Sequence, residues 1–150
     1  MFPSDILTTP QDNMAIEIPV KETPIAAHGS RVAQRAVYEA LRHLMAHLQF
    51  NESQVGEILH QHPNTVKKWI ADKNVPLGKP PFAPNHEALI HLLAIHRSLS
   101  AMFSKPENQR AWLTTKHPDF DAAPIEKMRE SMEGLILVRQ YLDYVRGRGA

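Results

Sequence analysis

The sequence contains no cysteine among its 150 residues. This absence excludes disulfide bonds, zinc sites with cysteine ligands and cysteine nucleophiles. Long apolar runs are also missing, because no stretch approaches the roughly 18 residues that a membrane-spanning helix requires. The first residues lack the basic start and apolar run that are typical of a secretory signal. We therefore expect a cytoplasmic protein without a membrane segment.

Charge is nearly balanced over the whole chain, with 17 Lys and Arg against 16 Asp and Glu. The balance varies along the chain: residues 1–29 carry a net charge of −3, residues 30–79 carry +3 and residues 80–150 carry +1. Hydrophobic residues make up 43% and charged residues 22%, near the globular averages, so we expect a folded chain rather than a wholly disordered one. A chain of this length forms one ordinary domain or two very small ones that share a core.

The first 29 residues are rich in proline and show no sustained helical or alternating pattern. Pro3, Pro10, Pro19 and Pro24 interrupt this stretch. We predict that residues 1–29 form an extended arm, which becomes ordered only where it docks on another surface.

Helical periodicity begins after this arm and recurs in separate segments to the end of the chain. Apolar residues repeat every three or four positions from Ala33 to Leu48, and Ser30 is a suitable N-cap for this helix. Further on, Ser104 stands at the start of a capping-box spacing, and Gly147 is placed to end the last helix. Almost nothing alternates with a period of two. The predicted fold is therefore all-α.

Four prolines at positions 76, 80, 81 and 84 mark the predicted boundary between two helical parts. We predict a helix-turn-helix domain at residues 30–76, a proline-rich linker at 77–85 and a small helical domain at 86–150.

The stretch from residue 52 to residue 70 has the pattern of a helix-turn-helix, whose second helix enters the major groove of DNA. Gly56 offers the close approach that two crossing helices need. If Val66 and Trp69 face the core, polar donors occupy the opposite side of the second helix at 100° per residue. Such donors can read base edges, and lysines can neutralise phosphates. The predicted DNA-binding residues are Gln54, Asn64, Thr65, Lys67 and Lys68.

The predicted turn departs from the usual motif at two positions. His60 occupies the place normally held by glycine, and Gln61 occupies the apolar place after it. Histidine adopts the left-handed conformation more readily than bulky β-branched residues, so the turn remains feasible.

No arrangement of residues indicates catalysis or metal binding. His86 and His91 resemble the zinc-protease helix, but the second histidine stands one residue too late for both rings to share a face. His43 and His47 have a spacing of four residues without an acidic group to act as a base. There is no glycine-rich phosphate loop and no nucleophile elbow. We expect no enzyme activity, no catalytic residues, no metal and no cofactor.

Residues in the second half resemble the toxin-binding domain of the Xre/MbcA/ParS antitoxins over roughly residues 86–150. The helix-turn-helix is similar to the Xre-like reader that precedes this domain in the family. The combination of three motifs is specific. Trp-Leu comes first, a helix-opening proline follows, and Gly-Leu-x-x-Val-x-x-x-Leu comes last. The positions that carry the resemblance are Phe103, Pro106, Glu107, Ala111, Trp112, Leu113, Pro124, Ser131, Gly134, Leu135, Val138, Leu142 and Gly147.

The resemblance implies an antitoxin of a type II toxin–antitoxin system. Its partner would be a NAD-consuming, RES-type toxin whose active site the C-terminal domain covers. Its reader domains, paired in a homodimer, would bind operator DNA and repress their own operon. Most of the matching residues are apolar and suit a core, and Gly134 suits close helix packing. The predicted toxin-binding residues are Tyr141, Tyr144, Arg146 and Arg148, because aromatic and arginine side chains are favoured interface anchors.

Three other interpretations use the same residues. A solitary helix-turn-helix transcription regulator would use its C-terminal domain only for dimerisation. A pure interaction module would neutralise a toxin but would have lost DNA binding, given His60 and Gln61. An enzyme is the weakest alternative, because no acid–base or metal constellation supports it.

Overall fold

A computed structural model describes residues 24–77 and 84–148 of the chain, with side chains from residue 31 to 77 and from 86 to 148. The described residues form helices and no strand, which confirms the all-α prediction. The helices are α1 (Pro24–Leu48), α2 (Glu52–Leu59), α3 (Pro63–Asp72), α4 (Pro84–Met102), α5 (Pro106–Thr114), α6 (Pro124–Glu130) and α7 (Met132–Arg148). None of these helices is both long enough and apolar enough to cross a bilayer.

Local capping explains where α2 and α3 begin and end. Asn51 and Gln54 form a capping box in which each side chain accepts a hydrogen bond from the other residue's backbone N–H, at 2.9 and 2.8 Å. His60 ends α2 in the left-handed conformation, with φ 57° and ψ 43°. The expectation that histidine tolerates this turn is therefore confirmed. Pro63 occupies the first turn of α3, where its missing N–H would have no partner within the helix, and His62 Nδ1 accepts the N–H of Asn64 at 3.1 Å.

Three predicted helix boundaries are wrong. The first helix begins at Pro24 rather than Ser30, since proline fits a first helical turn. Ser104 does not cap α5: Lys105 is the N-cap, because Pro106 favours an extended residue directly before it. Gly147 has no left-handed φ, and α7 continues through it to Arg148.

The chain divides into two compact units, Met1–Val32 and Ala33–Ala150. The predicted extended arm at residues 1–29 is wrong for residues 24–29, because they belong to the first turns of α1. Residues 1–23 lie outside the described residues, so the arm stays a prediction there. In the second unit a single apolar core joins α1, α2 and α3 to α4 and α7, from Tyr38 to Leu142. The predicted linker at 77–85 lies partly outside the described residues, and the domain division stays a prediction.

Polar contacts connect the first helices of this unit to the last ones. Arg110 donates a hydrogen bond of 2.8 Å to the carbonyl oxygen of His47, one of the last-turn carbonyls of α1 that have no partner within the helix. Arg129 on α6 forms an ion pair of 2.9 Å with Glu57 on α2. These contacts hold the predicted helix-turn-helix against the C-terminal helices.

Gly134 allows α7 to pack closely on α6. A Cβ atom at this position would collide with the backbone carbonyl of Lys127. The predicted packing role of Gly134 is therefore confirmed. Ser131 Oγ accepts the N–H of Gly134 at 3.0 Å, which caps the start of α7.

Candidate functional site

The segment predicted to read DNA is built from α2, the turn at His60 and α3. Val66 and Trp69 are buried, so α3 faces the core with the side that the sequence predicted. Gly56 is buried where a Cβ would lie 2.5 Å from the carbonyl oxygen of Gln61. The glycine therefore accommodates the backbone of the turn that follows α2, whereas its predicted role in a close helix crossing stays a prediction.

The side of α3 opposite the core is accessible. Asn64, Lys67 and Lys68 are exposed, and Thr65 is half-buried beside them. Lys68 Nζ lies 3.0 Å from the Asp72 carboxylate, but both side chains are largely exposed and such a pair is weak. A nucleic-acid phosphate can therefore compete for this ammonium. We name the surface formed by Asn64, Thr65, Lys67 and Lys68 the α3 face.

Gln54 is not part of the α3 face, because it lies in the first turn of α2. Its Oε1 atom accepts the Asn51 N–H, so this side chain stabilises the start of α2. Its exposure still permits a contact with a phosphate. The prediction that Gln54 touches the DNA backbone stays a prediction.

Tyr144 and Arg148 form an exposed pair on the outer side of α7. The Arg148 guanidinium donates to the Tyr144 hydroxyl at 3.2 Å and lies 5.5 Å from the centre of its ring. Leu137, two turns earlier on the same side, is 45% exposed, and Tyr144 is 60% exposed. We name the surface formed by Leu137, Tyr144 and Arg148 the α7 face. Sequence reasoning missed Leu137, although its position seven residues before Tyr144 places it on that side of the helix.

Arg146 differs from Arg148 in that its guanidinium faces an acidic side chain. Its guanidinium lies 3.7 Å from the Asp143 carboxylate, at the end of α7. Arg139 lies 3.5 Å from the other oxygen of the same carboxylate, so Asp143 lies between two cations.

Tyr141 belongs to an interior aromatic cluster rather than to the α7 face. Its ring stacks on Trp112, with centroids 6.3 Å apart, and meets Phe120 edge-on at 5.2 Å. His117 Nδ1 accepts the N–H of Asp119 at 3.1 Å, so the neutral ring carries its proton on Nε2 and donates it to the Tyr141 hydroxyl at 3.1 Å. Burial, together with the Asp119 carboxylate, raises the pKa of Tyr141. A role of Tyr141 in holding a partner stays a prediction.

A mostly apolar cavity of about 390 Å³ opens beside this cluster. Sequence reasoning treated its main residue, Trp112, only as a core position. Residues that flank α5 on both sides meet residues of the helix itself here, and helical periodicity cannot show such a contact. The lining residues are Phe103, Asn108, Ala111, Trp112, Thr115, Lys116 and His117.

Histidine side chains of α1 contact a histidine side chain of α4. His96 Nε2 lies 3.3 Å from His47 Nδ1, and the rings of His43 and His47 are 4.0 Å apart. Burial, followed by the charges of His47 and His43, lowers the pKa of His96 to about 4. Within residues 24–77 and 84–148, no group of three or more histidines and carboxylates is arranged to hold a metal ion.

Comparison with known proteins adds one finding. Residues 98–148 match the sequence model of a family described as the antitoxin Xre/MbcA/ParS C-terminal toxin-binding domain. The match runs from the end of α4 to the end of α7, and it confirms the predicted resemblance over those residues. No curated protein matches the chain. The similarity of residues 30–76 to an Xre-like reader stays a prediction.

Proposed function

We propose that this chain is the antitoxin of a type II toxin–antitoxin system. It binds and neutralises its cognate toxin through the C-terminal helices and represses its own operon through the α3 face, in the cytoplasm. The observation that carries the proposal is the match of residues 98–148 to an antitoxin toxin-binding domain. The α7 face supports it, because this domain presents exposed apolar, aromatic and cationic side chains on its last helix.

The toxin that we propose is a NAD-consuming enzyme of the RES type. The α7 face would bind beside the active-site cleft, with Leu137 and Tyr144 as apolar anchors. Arg146 and Arg148, at the end of the helix, would then reach acidic groups in the cleft and keep NAD out. The contacts of Arg146 with Asp143 and of Arg148 with Tyr144 are exposed and therefore weak, so both guanidinium groups can exchange them for acidic groups of the toxin.

For the DNA half of the proposal, two copies of the chain would present two α3 helices to successive major grooves. Asn64 and Thr65 would contact base edges at the start of the helix, and Lys67 and Lys68 would contact phosphates. The homodimer is part of this proposal, because a palindromic operator is read by two symmetric subunits.

Truncation of residues 147–150 and the substitution Tyr144→Ala are each expected to weaken toxin binding about tenfold or more, since hot-spot anchors typically contribute above 2 kcal/mol. The measurement is the NAD concentration in cells that co-express the toxin encoded next to this chain, with toxin–antitoxin affinity measured on the purified pair. Arg97→Ala is the control, because Arg97 is an exposed cation on α4. If both variants protect NAD as well as the wild type does, the α7 face is not the toxin-binding surface.

Lys67→Ala or Lys68→Ala is expected to weaken binding to every DNA sequence by a similar factor and to reduce the slope of log affinity against log salt by about one. Asn64→Ala is instead expected to relax sequence preference, at a cost of about 1–3 kcal/mol for the preferred base. Gel shifts on the upstream region at increasing salt measure both effects. Retention of wild-type affinity and preference by all three variants would contradict the α3 face. DNA binding without toxin binding would indicate the solitary regulator.

A further inference from the structure

A polar cavity of about 580 Å³ lies between α1 and the end of α3. Three cationic residues contribute to its wall, and they come from two different elements: Arg35 and Arg42 from α1, and Lys73 from the residue that ends α3. The remaining polar lining residues are Tyr38, Glu39 and His43. We name this space the α1–α3 cavity. It is separate from the α3 face, because none of the four residues of that face lines it.

Tyr38 organises the two guanidinium groups. Its side chain is only 2% exposed, so the ring is a fixed part of the core. Arg42 donates a hydrogen bond of 2.9 Å to the Tyr38 hydroxyl, and its guanidinium carbon lies 6.0 Å from the ring centre. The Arg35 guanidinium carbon lies 5.7 Å from the same ring. The buried ring therefore gives both guanidinium groups a common contact, while the two arginine side chains stay exposed and accessible to a ligand.

The backbone of Lys73 is fixed by local structure. Lys73 caps α3 in the left-handed conformation, with φ 54°, and its side chain is exposed. The next residue, Asn74, donates a hydrogen bond of 2.9 Å to the Gln34 side chain on α1. This contact ties the turn to the helix that carries both arginines.

Carboxylates do not balance these cations. Glu39 is the acidic residue in the lining, and it lies 4.0 Å from Arg35 with both side chains more than half exposed, so the pair is weak. Among the side chains described, no carboxylate lies within ion-pair distance of Arg42 or Lys73. The cavity therefore has an excess of positive charge that a bound anion would neutralise.

We propose that the α1–α3 cavity binds phosphate groups. Guanidinium forks match phosphate oxygens in geometry, and two forks with one ammonium suit two neighbouring phosphates better than a single carboxylate. The phosphates come either from the backbone of DNA or from a free phosphate-bearing compound. The site goes beyond the proposed antitoxin function, since it requires neither a toxin nor base recognition by the α3 face.

Titration with inorganic pyrophosphate, followed by backbone amide NMR shifts at low salt, tests the site on the full chain. We expect shifts around Arg42 and Lys73 and a loss of about fivefold or more in affinity for Arg42→Gln and for Lys73→Gln, because each loses a charge-assisted hydrogen bond. Lys105→Gln, which removes an exposed cation at the start of α5, should bind as the wild type does. Since Arg42 also supports Tyr38, Lys73→Gln is the deciding variant if Arg42→Gln lowers the melting temperature.

A second titration with a short DNA duplex of random sequence distinguishes the two sources of phosphate. Loss of duplex affinity in Lys73→Gln, with a lower salt dependence, assigns the site to the DNA backbone. Unchanged duplex affinity with weakened pyrophosphate binding assigns it to a free phosphate compound. If neither probe binds Lys73→Gln more weakly than the wild type, the proposal is wrong. Asn64→Ala should leave pyrophosphate affinity unchanged, so a failure of the α3 face is distinguished from a failure of this cavity.

Discussion

Gly134→Ala is expected to lower the free energy of unfolding by about 3 kcal/mol, near the upper end of the usual cost of overpacking a core. The added Cβ would meet the carbonyl carbon and oxygen of Lys127, which belong to the backbone of α6. A backbone group cannot rotate away as a side chain can. Either α6 and α7 move apart or both helices distort. Urea unfolding followed by circular dichroism measures the change, which should appear as a lower midpoint.

Gly147→Ala is the matched control for this substitution. A Cβ at Gly147 would have no heavy atom within 4 Å, and the residue lies in the last turn of the same helix. Alanine should therefore be neutral or stabilise the helix by up to about 0.5–1 kcal/mol, because glycine is the poorer helix former. Equal midpoints for the two variants would show that the backbone of α6 at Lys127 does not approach Gly134 closely enough to exclude a Cβ atom.

The two glycines illustrate which features the sequence could predict. The spacing of apolar residues placed Gly134 among core positions of the last helix, and close packing followed from that placement. Gly147 was assigned as a cap because glycine often ends helices, yet capping depends on the backbone after the helix rather than on residue type alone. The left-handed turn at His60 was predictable, because the helix-turn-helix pattern requires a turn at this position and histidine tolerates that conformation.

Residues that approach from distant parts of the chain could not be predicted in this way. Helical periodicity shows that Tyr141 lies near the edge of the core stripe, but it cannot show that His117, 24 residues earlier, holds its hydroxyl. The α1–α3 cavity likewise depends on Lys73 reaching the same wall as Arg35 and Arg42. Periodicity assigns residues to the faces of one helix, and the packing of several helices then decides which of those faces remain accessible.

The contact between His47 and His96 is another long-range feature, since 49 residues separate them. His96 is 7% exposed on α4, and its Nε2 atom also lies 3.3 Å from Ser100 Oγ. Burial is the largest cause of its lowered pKa of about 4, and the charges of His47 and His43 add to it. The pKa of His47 is lowered as well, by burial and then by His43. Protonation of His96 and of His47 is therefore less favourable in the folded chain than in the unfolded chain.

Acidification is expected to destabilise the folded chain through His96. The unfolded chain takes up this proton below the ordinary histidine pKa of 6.5, whereas the folded chain takes it up only near 4. Between these values the unfolded state binds more protons, so the free energy of unfolding falls as the pH is lowered from 6.5 to 4. The loss due to His96 is at most about 3.4 kcal/mol, from the difference between a pKa of 6.5 and one of about 4. It is nearly complete well below pH 4 and nearly absent well above pH 6.5.

Urea unfolding at a series of pH values, compared between the wild type and His96→Gln, measures this contribution. Glutamine keeps a polar group near His47 and Ser100 but does not titrate, so the variant should lose stability less steeply between pH 6.5 and 4. His60→Asn is the control, because it removes an exposed imidazole at a left-handed position that asparagine also tolerates. Carboxylates that titrate at low pH affect all three proteins alike, so they cancel in the comparison. Parallel curves for the wild type and His96→Gln would show that His96 takes up its proton equally well in the folded and unfolded chain.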